Sequence, residues 1–500
     1  MPSNTSIEKA SIPCENEIES PTRERHHDRT PLDPNSETRL LRKCDLHLIP
    51  ILFGLYLFAF MDRINIGNAK IQGLQKELNM NGTQYNVALL TFFPAYVALE
   101  VPANILMRKI RPSTWLSTLM FSWGVVTICQ GLVHSYGGLV ACRVLLGALE
   151  AGVLPGCIYL ISMYYKRSEM QKRYTAFFTS AMVAGAFAGL LAFALAKMNG
   201  LGGYSGWRWI FIIEGLATIV YSVSAKLFIP DWPEQCRFLT PEEKVLMNTR
   251  LAIDNASEEA RMDRLDNAAI YRILKDWKIW VGSVNYFVLS ITGYSSLFFI
   301  PYILNQFGWD ATEAQLHTIP VYIVSAATTL LAAYLSDRLR HRYTFLMIGT
   351  TFNAIAYIIL LCQGPPNPHG LPRNVRYMAI FFALIGQYIS TPMVIVWLSN
   401  NLSGHYKRAI GMAIQVSIGN AGGIAASNIY LQSETPIFKT GYGTALAMVL
   451  ASGFFSTVFY LGLKWENRQR VLGKRDWRLE LRKEERENLG DDHPSFRLIG

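Results

Sequence analysis

Along this chain, apolar runs of about 20 residues alternate with short polar loops, a length that matches a hydrocarbon core of roughly 30 Å at 1.5 Å per helical residue. Twelve runs are predicted as helices: approximately 46–66, 86–107, 114–133, 138–163, 174–196 and 209–229, then 279–304, 315–336, 343–362, 377–399, 408–430 and 442–463. Buried helices of a large soluble enzyme do not come a dozen in succession at this length. Three stretches are polar instead, and they divide the chain. The expected organisation is a disordered tail 1–45, a six-helix bundle 46–229, a linker 230–278, a second six-helix bundle 279–463 and a tail 464–500. The fold class is therefore an all-α membrane protein, twelve transmembrane helices in two bundles.

Composition sharpens this picture. The 500 residues are 51% hydrophobic, yet mean hydropathy is only +0.18, because greasy spans are averaged with charged ends. The first 45 residues lack the apolar core of a secretory signal, so the first span must direct insertion itself. In that tail the pair His26–His27 reads as solvated rather than metal-binding. The seven cysteines form no CxxC, which argues against a metal site or a disulfide framework. The net charge of +10 does not point to nucleic acid, because the bases cluster beside the spans in "MRKIRP", "YYKRSEMQKR", "SDRLRHR" and "GHYKR". The loops "HSYGG" and "NQFGWDATEAQ" carry none. Lys and Arg concentrate on the cytoplasmic side, so both termini and the linker are expected there. Within the linker, Thr240, Pro241 and Glu243 compose a capping box that predicts an amphipathic helix over 241–265. Asn81 opens a formal glycosylation acceptor, expected to be unmodified this close to a span.

The candidate chemistry lies where charges enter the apolar pattern. Span 1 ends in "LFAFMDRINIGNAK", with Asp62, Arg63, Asn65 and Asn68. Span 4 contains "CRVLLGALEAGVLPG", with Arg143 and Glu150. A charge near mid-bilayer costs about 2.5 kcal/mol or more, so it faces a cavity or an opposite charge. Arg143 and Glu150 are seven residues apart, which puts them on one helix face roughly 10 Å apart, too far for a tight pair. Each needs another partner, from water, a second helix or a ligand. Asp62 and Arg63, being adjacent, point about 100° apart, so one lines a cavity while the other braces the packing. Two readings stay open: structural ion pairs that lock helices together, or a site that changes its pairing. A guanidinium offers a planar fork to a carboxylate and selects organic anions. A carboxyl in low dielectric takes up a proton more readily, and a nearby guanidinium opposes that. Arg63 and Arg143 are thus expected to bind an anion, and Asp62 and Glu150 to carry protons.

Two levels of resemblance follow from the motifs. Six plus six spans around a central loop resemble the major facilitator superfamily, and "AAYLSDRLRHR" resembles its G-x-x-x-D-R-x-x-x-R loop motif, with Ala333 in place of the glycine. That resemblance implies a gating role for Asp337, Arg338 and Arg342. More narrowly, "ALEVPANILMRKIRPSTWL", "GWRWIFIIEGL", "PDWPEQCRFLTPEEK", "GHYKRAIGMAIQVSIGNAGGI" and "NLGDDHPSFR" resemble fungal anion:cation symporters, the allantoate and nicotinate permeases. The resemblance runs from about residue 40 to the C-terminus. It implies proton-driven import of small organic anions through Asp62, Arg63, Arg143 and Glu150, with Asn420 touching the substrate.

Other polar positions are less decided. Trp397, with Asn400 and Asn401, suits substrate contact or an aromatic belt. Tyr294 and Ser295 follow Gly293 in "TGYSS", where a broken helix could line the site. Glu100 reads as packing or a gate, and Glu214 as inter-helix bracing. No nucleophile elbow or phosphate loop is present, so an enzyme is not expected, nor is a cofactor. The expected function is a monomeric proton symporter of a small carboxylate in the cell membrane. An exporter or exchanger of an acidic metabolite, or a receptor, are the alternatives, and a fold of this kind does not choose between directions.

Overall fold

The computed structural model describes residues 34–256, 267–339, 341–364, 370–403, 405–482, 485–486 and 488–499. The His26–His27 pair and the last part of the expected linker helix lie outside them. Among the described residues the chain is helical, with no strand. The first half comprises α1 (Pro34–Ala69), which runs through a π-turn (Lys70–Leu74) into α2 (Gln75–Glu77), then α3 (Gly82–Leu90), α4 (Phe92–Lys109), α5 (Pro112–Leu132), α6 (Tyr136–Glu150), α7 (Val153–Ser162), α8 (Arg167–Ala196) and α9 (Gly206–Phe228). Two short helices follow, α10 (Pro241–Ala256) and α11 (Asn267–Lys275). The second half comprises α12 (Trp277–Gln306), α13 (Ala311–Leu339), α14 (Arg342–Leu361), α15 (Arg373–Asn400), α16 (His405–Ala426) and α17 (Lys439–Val471).

Among the described residues, ten helical segments are long and apolar enough to cross a membrane. The other two expected spans are the α3–α4 pair, which bends at Thr91, and α16, whose apolar stretch is shorter. The fourth span is also divided, at Ala151–Gly152 between α6 and α7. The first span begins earlier than its apolar pattern suggests. Its N-terminal turns are polar outside, but Leu40 and Cys44 are buried.

Helix faces are inverted relative to a soluble protein. On α9 the exposed face carries Leu216, Val220, Val223 and Leu227, while the buried face is Gly215, Thr218, Ser222 and Ala225. On α17 Leu450, Phe454, Leu461 and Trp465 are exposed, and Ala445, Ser452, Gly453 and Ser456 are buried. Lipid is as apolar as leucine, so small residues that allow close backbone approach go inside. Gly386, for example, faces Gly349 O so closely that any side chain would collide. This is a multi-pass membrane protein.

Both described chain ends and the linker sit on one side of the bundles. Lys43 pairs with Glu243 of α10 at 2.7 Å, Lys166 with Glu37 at 2.5 Å, and Arg173 with Asp45 at 2.8 Å. The box at the start of α10 forms: Thr240 N donates to Glu243 Oε2 (2.9 Å), and Glu243 N donates to Thr240 Oγ1 (3.3 Å). In the other half, Asp491 of the C-terminal segment is buried between Lys278 and Lys407, at the starts of α12 and α16. We call this the terminal side and the opposite face the far side.

Candidate functional site

Where the halves meet at mid-depth, a cavity of about 110 Å³ is lined from both. The first half contributes Tyr56, Phe60 and Arg63 of α1 with Phe178 and Met182 of α8. The second half contributes Tyr286, Ser290 and Tyr294 of α12, Gln387, Tyr388 and Thr391 of α15, and Asn420 of α16. Among the described lining residues, Arg63 is the only charged one. The rest of the described wall is uncharged: aromatic rings, neutral polar groups and aliphatic side chains such as Leu154, Leu297 and Leu384.

Arg63 ties the halves together. Its Nη2 pairs with Glu150 Oε1 at 2.5 Å, while Nη1 donates to Tyr294 OH at 3.2 Å. Tyr294 in turn donates to Asn420 Oδ1 at 2.8 Å. The guanidinium carbon lies 5.0 Å from the Tyr96 ring centroid, 5.2 Å from Phe92 and 5.3 Å from Phe60. Such faces attract a cation and keep water away from it. Glu150 therefore finds its partner on a second helix. The adjacent Asp62 turns the other way and accepts from Thr127 Oγ1 of α5 at 3.1 Å, leaving Oδ2 without a partner. The 100° between neighbouring residues thus divides the roles: Arg63 faces the cavity, Asp62 the interior of its own half.

Arg143 is fully buried, and none of its guanidinium nitrogens has a hydrogen-bond partner. The Phe92 ring lies 5.3 Å from its guanidinium carbon, so one ring faces both arginines. Arg143 does not line the cavity; it stands behind it. A buried guanidinium without an acceptor is costly. The two amides of span 1 brace helices. Asn65 donates to Glu214 of α9, and Asn68 donates to Ala188 O of α8 at 3.5 Å as well as to Asn65 Oδ1 at 3.2 Å. Glu100 of α4 accepts from Ser417 Oγ of α16 at 3.1 Å, so it bridges the halves.

The structure separates the remaining candidates. Trp397 is not near the cavity: its ring packs 4.8 Å from Phe459, and its Nε1 donates to Ile499 O at 2.9 Å. It anchors the C-terminal segment. α12 is not broken at Gly293–Ser295 but continuous. Gly293 instead admits the Gln387 amide, whose Nε2 would sit 2.8 Å from any added Cβ. A continuous helix suffices to bring Tyr294 into the cavity. Of the expected gating residues, the Asp337 side chain lies outside the described residues, and Arg338 is exposed. Arg342 is buried and donates to the Asn400 side-chain oxygen at 3.0 and 3.2 Å, with that amide turned to receive it.

A profile described as Major Facilitator Superfamily matches residues 52–427. The chain belongs to the major facilitator superfamily. It is 36% identical over 439 residues to an uncharacterized transporter of Schizosaccharomyces pombe, covering 88% of this chain and 86% of that one. To the high-affinity nicotinic acid transporter of Saccharomyces cerevisiae it is 28% identical over 492 residues, 98% of this chain and 90% of that one. Its fold is similar to that of a D-xylose–proton symporter, with TM-score 0.62 and 17% identity over 82% of this chain and 96% of that chain. Members of this superfamily are transporters, not enzymes, and this one moves small solutes across a membrane.

In this superfamily member, several cavity residues escaped the sequence reading. Gln387 accepts from Thr292 Oγ1 at 2.8 Å and donates to Leu289 O at 3.0 Å, linking α15 to α12. An amide in the middle of the apolar run "LIGQYIST" was a legible signal. Tyr56, Tyr286 and Tyr388 were not legible, because a tyrosine in a membrane helix looks the same in sequence whether it faces lipid, core or cavity.

The transporter is closed on the far side. α1 and α12 both start on the terminal side, and beyond the cavity their residues pack across the halves. A Cβ on Gly67 would sit 2.6 Å from Phe298 O. Gln72 donates to Gln315 Oε1 at 3.2 Å, and α8 packs along α13.

Proposed function

We propose that the chain imports a small organic carboxylate together with a proton, by alternating access about the mid-depth cavity. The observation that carries this reading is Arg63, the one charged side chain on the described cavity wall, shared between Glu150 of its own half and Tyr294 of the other. A cargo carboxylate reaching the cavity competes with Glu150 for the guanidinium. Once displaced, Glu150 is an unpaired acid far from water, where ionisation is costly, so it takes up a proton. Cargo and proton then occupy the site together and leave together. Arg143 supplies a second guanidinium within reach of the displaced charges. Tyr294 and Asn420 orient the cargo, and Asp62 is the second proton carrier. Arg342, with Asp337 and Arg338, guards the terminal side, which we assign to the cytoplasm.

Aromatic walls beside a single cation suit a flat acid. Resemblance to a nicotinic acid transporter adds weight to nicotinate or a related ring acid, with allantoate as the ureido alternative. The Glu150→Gln variant tests the coupling. Cells expressing it should lose concentrative uptake of labelled nicotinate at acidic pH but retain exchange of labelled for unlabelled substrate. Normal accumulation by Glu150→Gln would overturn the assignment. Acidification of the cytosol on adding substrate to wild-type cells distinguishes symport from exchange or export.

A further inference from the structure

Beyond the cavity, on the far side, a further cation is buried without a carboxylate partner among the described residues, unlike Arg208, which pairs with Glu77. Lys70 is 8% exposed at the first position of the π-turn that follows α1. Such turns widen the helix by one residue and often mark functional positions. The chain then turns at Gly73, whose φ of +98° only glycine adopts without strain. Among the described residues, no carboxylate pairs with Lys70. Its Nζ lies instead 3.8 Å from the Tyr302 ring centroid, 4.3 Å from Tyr85 and 5.1 Å from Phe299.

The origin of the three rings matters. Tyr85 belongs to α3 in the same half as Lys70, and its hydroxyl donates to Ile66 O at 3.3 Å. Phe299 and Tyr302 belong to α12 in the other half. They are held there by Tyr430, 5.0 Å from Phe299, and by Thr435, whose hydroxyl lies 3.4 Å from the Tyr302 hydroxyl. The cage is therefore complete only while the far side is closed. When the halves part on this side, Phe299 and Tyr302 leave with α12, and the ammonium remains on α1 without a counter-charge. A ring face holds an ammonium more weakly than a carboxylate does, so the cage yields to an anion.

We propose that Lys70 is a capture site for the cargo carboxylate at the far-side mouth. In the open state its ammonium binds the carboxylate; on closure the rings of α12 replace it and the cargo moves inward. Arg63 is seven residues earlier on the same helix, about two turns and on the order of 10 Å deeper, on nearly the same face. The carboxylate thus passes from one cation to the next along α1, and the aromatic cage prevents Lys70 from retaining it. This rests on the reading of the chain as a carboxylate transporter.

The test uses the full chain in proteoliposomes and a panel of labelled nicotinate, benzoate, allantoate and lactate. For the acid that wild type transports, Lys70→Met should raise KM by about tenfold, the equivalent of about 1.4 kcal/mol, with the loss falling on KM rather than on the maximal rate. Lys70→Arg should recover most of that loss. Tyr302→Leu removes the nearest ring and keeps the cation. It should raise acylation of Lys70 by a membrane-impermeant amine reagent several-fold, read by peptide mass spectrometry. The transported acid should suppress this labelling, and neutral nicotinamide should not. If Lys70→Met fails to reach the membrane, the protection experiment in Tyr302→Leu decides. An unchanged KM in Lys70→Met, equal losses in the Met and Arg variants, or no protection by the acid would overturn the capture site while leaving the carboxylate transporter intact. Transport of none of the four acids by wild type would overturn both.

Discussion

The two halves have similar architecture, but their mid-depth chemistry is not alike. Among the described residues, every charged side chain buried near the cavity belongs to the first half: Asp62, Arg63, Glu100, Arg143, Glu150 and Glu214. The facing wall of the second half is neutral, formed by Tyr286, Ser290, Tyr294, Gln387, Thr391 and Asn420. The second half keeps its buried charges at its terminal end, where Asp276, Lys278, Lys407 and Asp491 form one cluster. Separating a buried ion pair is costly, because each charge is left in low dielectric. With the pair Arg63–Glu150 held within one half, rocking the halves does not break it. What crosses the cavity from Arg63 is a hydrogen bond to Tyr294, 3.2 Å long and with a neutral acceptor. Such a bond is worth about 1.5–3 kcal/mol, small enough to make and break in each cycle. Charge chemistry in one half and neutral contacts in the other keep the barrier to alternation low.

The sharpest way to break this contrast is to weaken the cation itself. Arg63→Lys keeps the charge but loses the fork that serves Glu150 and Tyr294 together. Leaving a buried partner badly paired costs about 3–5 kcal/mol, so uptake should fall by about a hundredfold or more at unchanged surface expression. Fluorescence-detected gel filtration would show whether the variant still folds. Moving charge into the neutral wall should do the opposite of helping. Asn420→Asp places an acid beside Tyr294, close enough to compete with cargo for Arg63. Uptake should drop by about tenfold while thermal stability rises, because the halves become locked by an ionic contact. Faster uptake in this variant would remove the argument for a neutral wall.

Smaller changes sharpen it further. Tyr294→Phe removes only the hydroxyl between Arg63 and Asn420. It should raise KM by about tenfold, roughly 1.4 kcal/mol, near the low end for a hydrogen bond to a charged group. The smallest effect is expected far from the cavity. Burial by itself would raise the Asp491 carboxyl, but Lys278 and Lys407 outweigh it and hold it well below the usual carboxylate range. A depressed carboxyl stabilises above its unfolded pKa of about 3.9 and loses that contribution as pH falls below it. Docking of the C-terminal segment should therefore stay constant over about pH 5–8 and weaken only in stronger acid. Asp491→Asn should change uptake by less than about twofold, since this cluster stays within one half, yet make the tail more sensitive to limited proteolysis at every pH.

Much of this was legible in the sequence, for physical reasons. A helix that crosses lipid must be apolar over a length set by the bilayer, so the spans stand out from composition alone. A charge inside such a span is costly enough to be functional or paired, which singled out Asp62, Arg63, Arg143 and Glu150 before any coordinate. Helical geometry also placed Arg143 and Glu150 too far apart to satisfy one another. The failures are equally physical. Trp397 sits in an aromatic-rich run, and nothing in the local pattern says whether such a ring faces cargo or, as here, the returning C-terminal segment. Gly293 suggested a break, but the space it leaves is filled by Gln387 from another helix.

The sequence by itself determined that this is a multi-pass helical membrane protein with acids and bases buried in its first half, because solvation in lipid leaves few alternatives. Only the tertiary structure decided the pairing: Glu150 with Arg63 rather than Arg143, Tyr294 with Asn420, and Lys70 with rings of the opposite half. Spacing along one helix sets which way a side chain points. What it meets there depends on how neighbouring helices are rotated and how closely their small residues let them approach, and that is set by packing across the whole molecule.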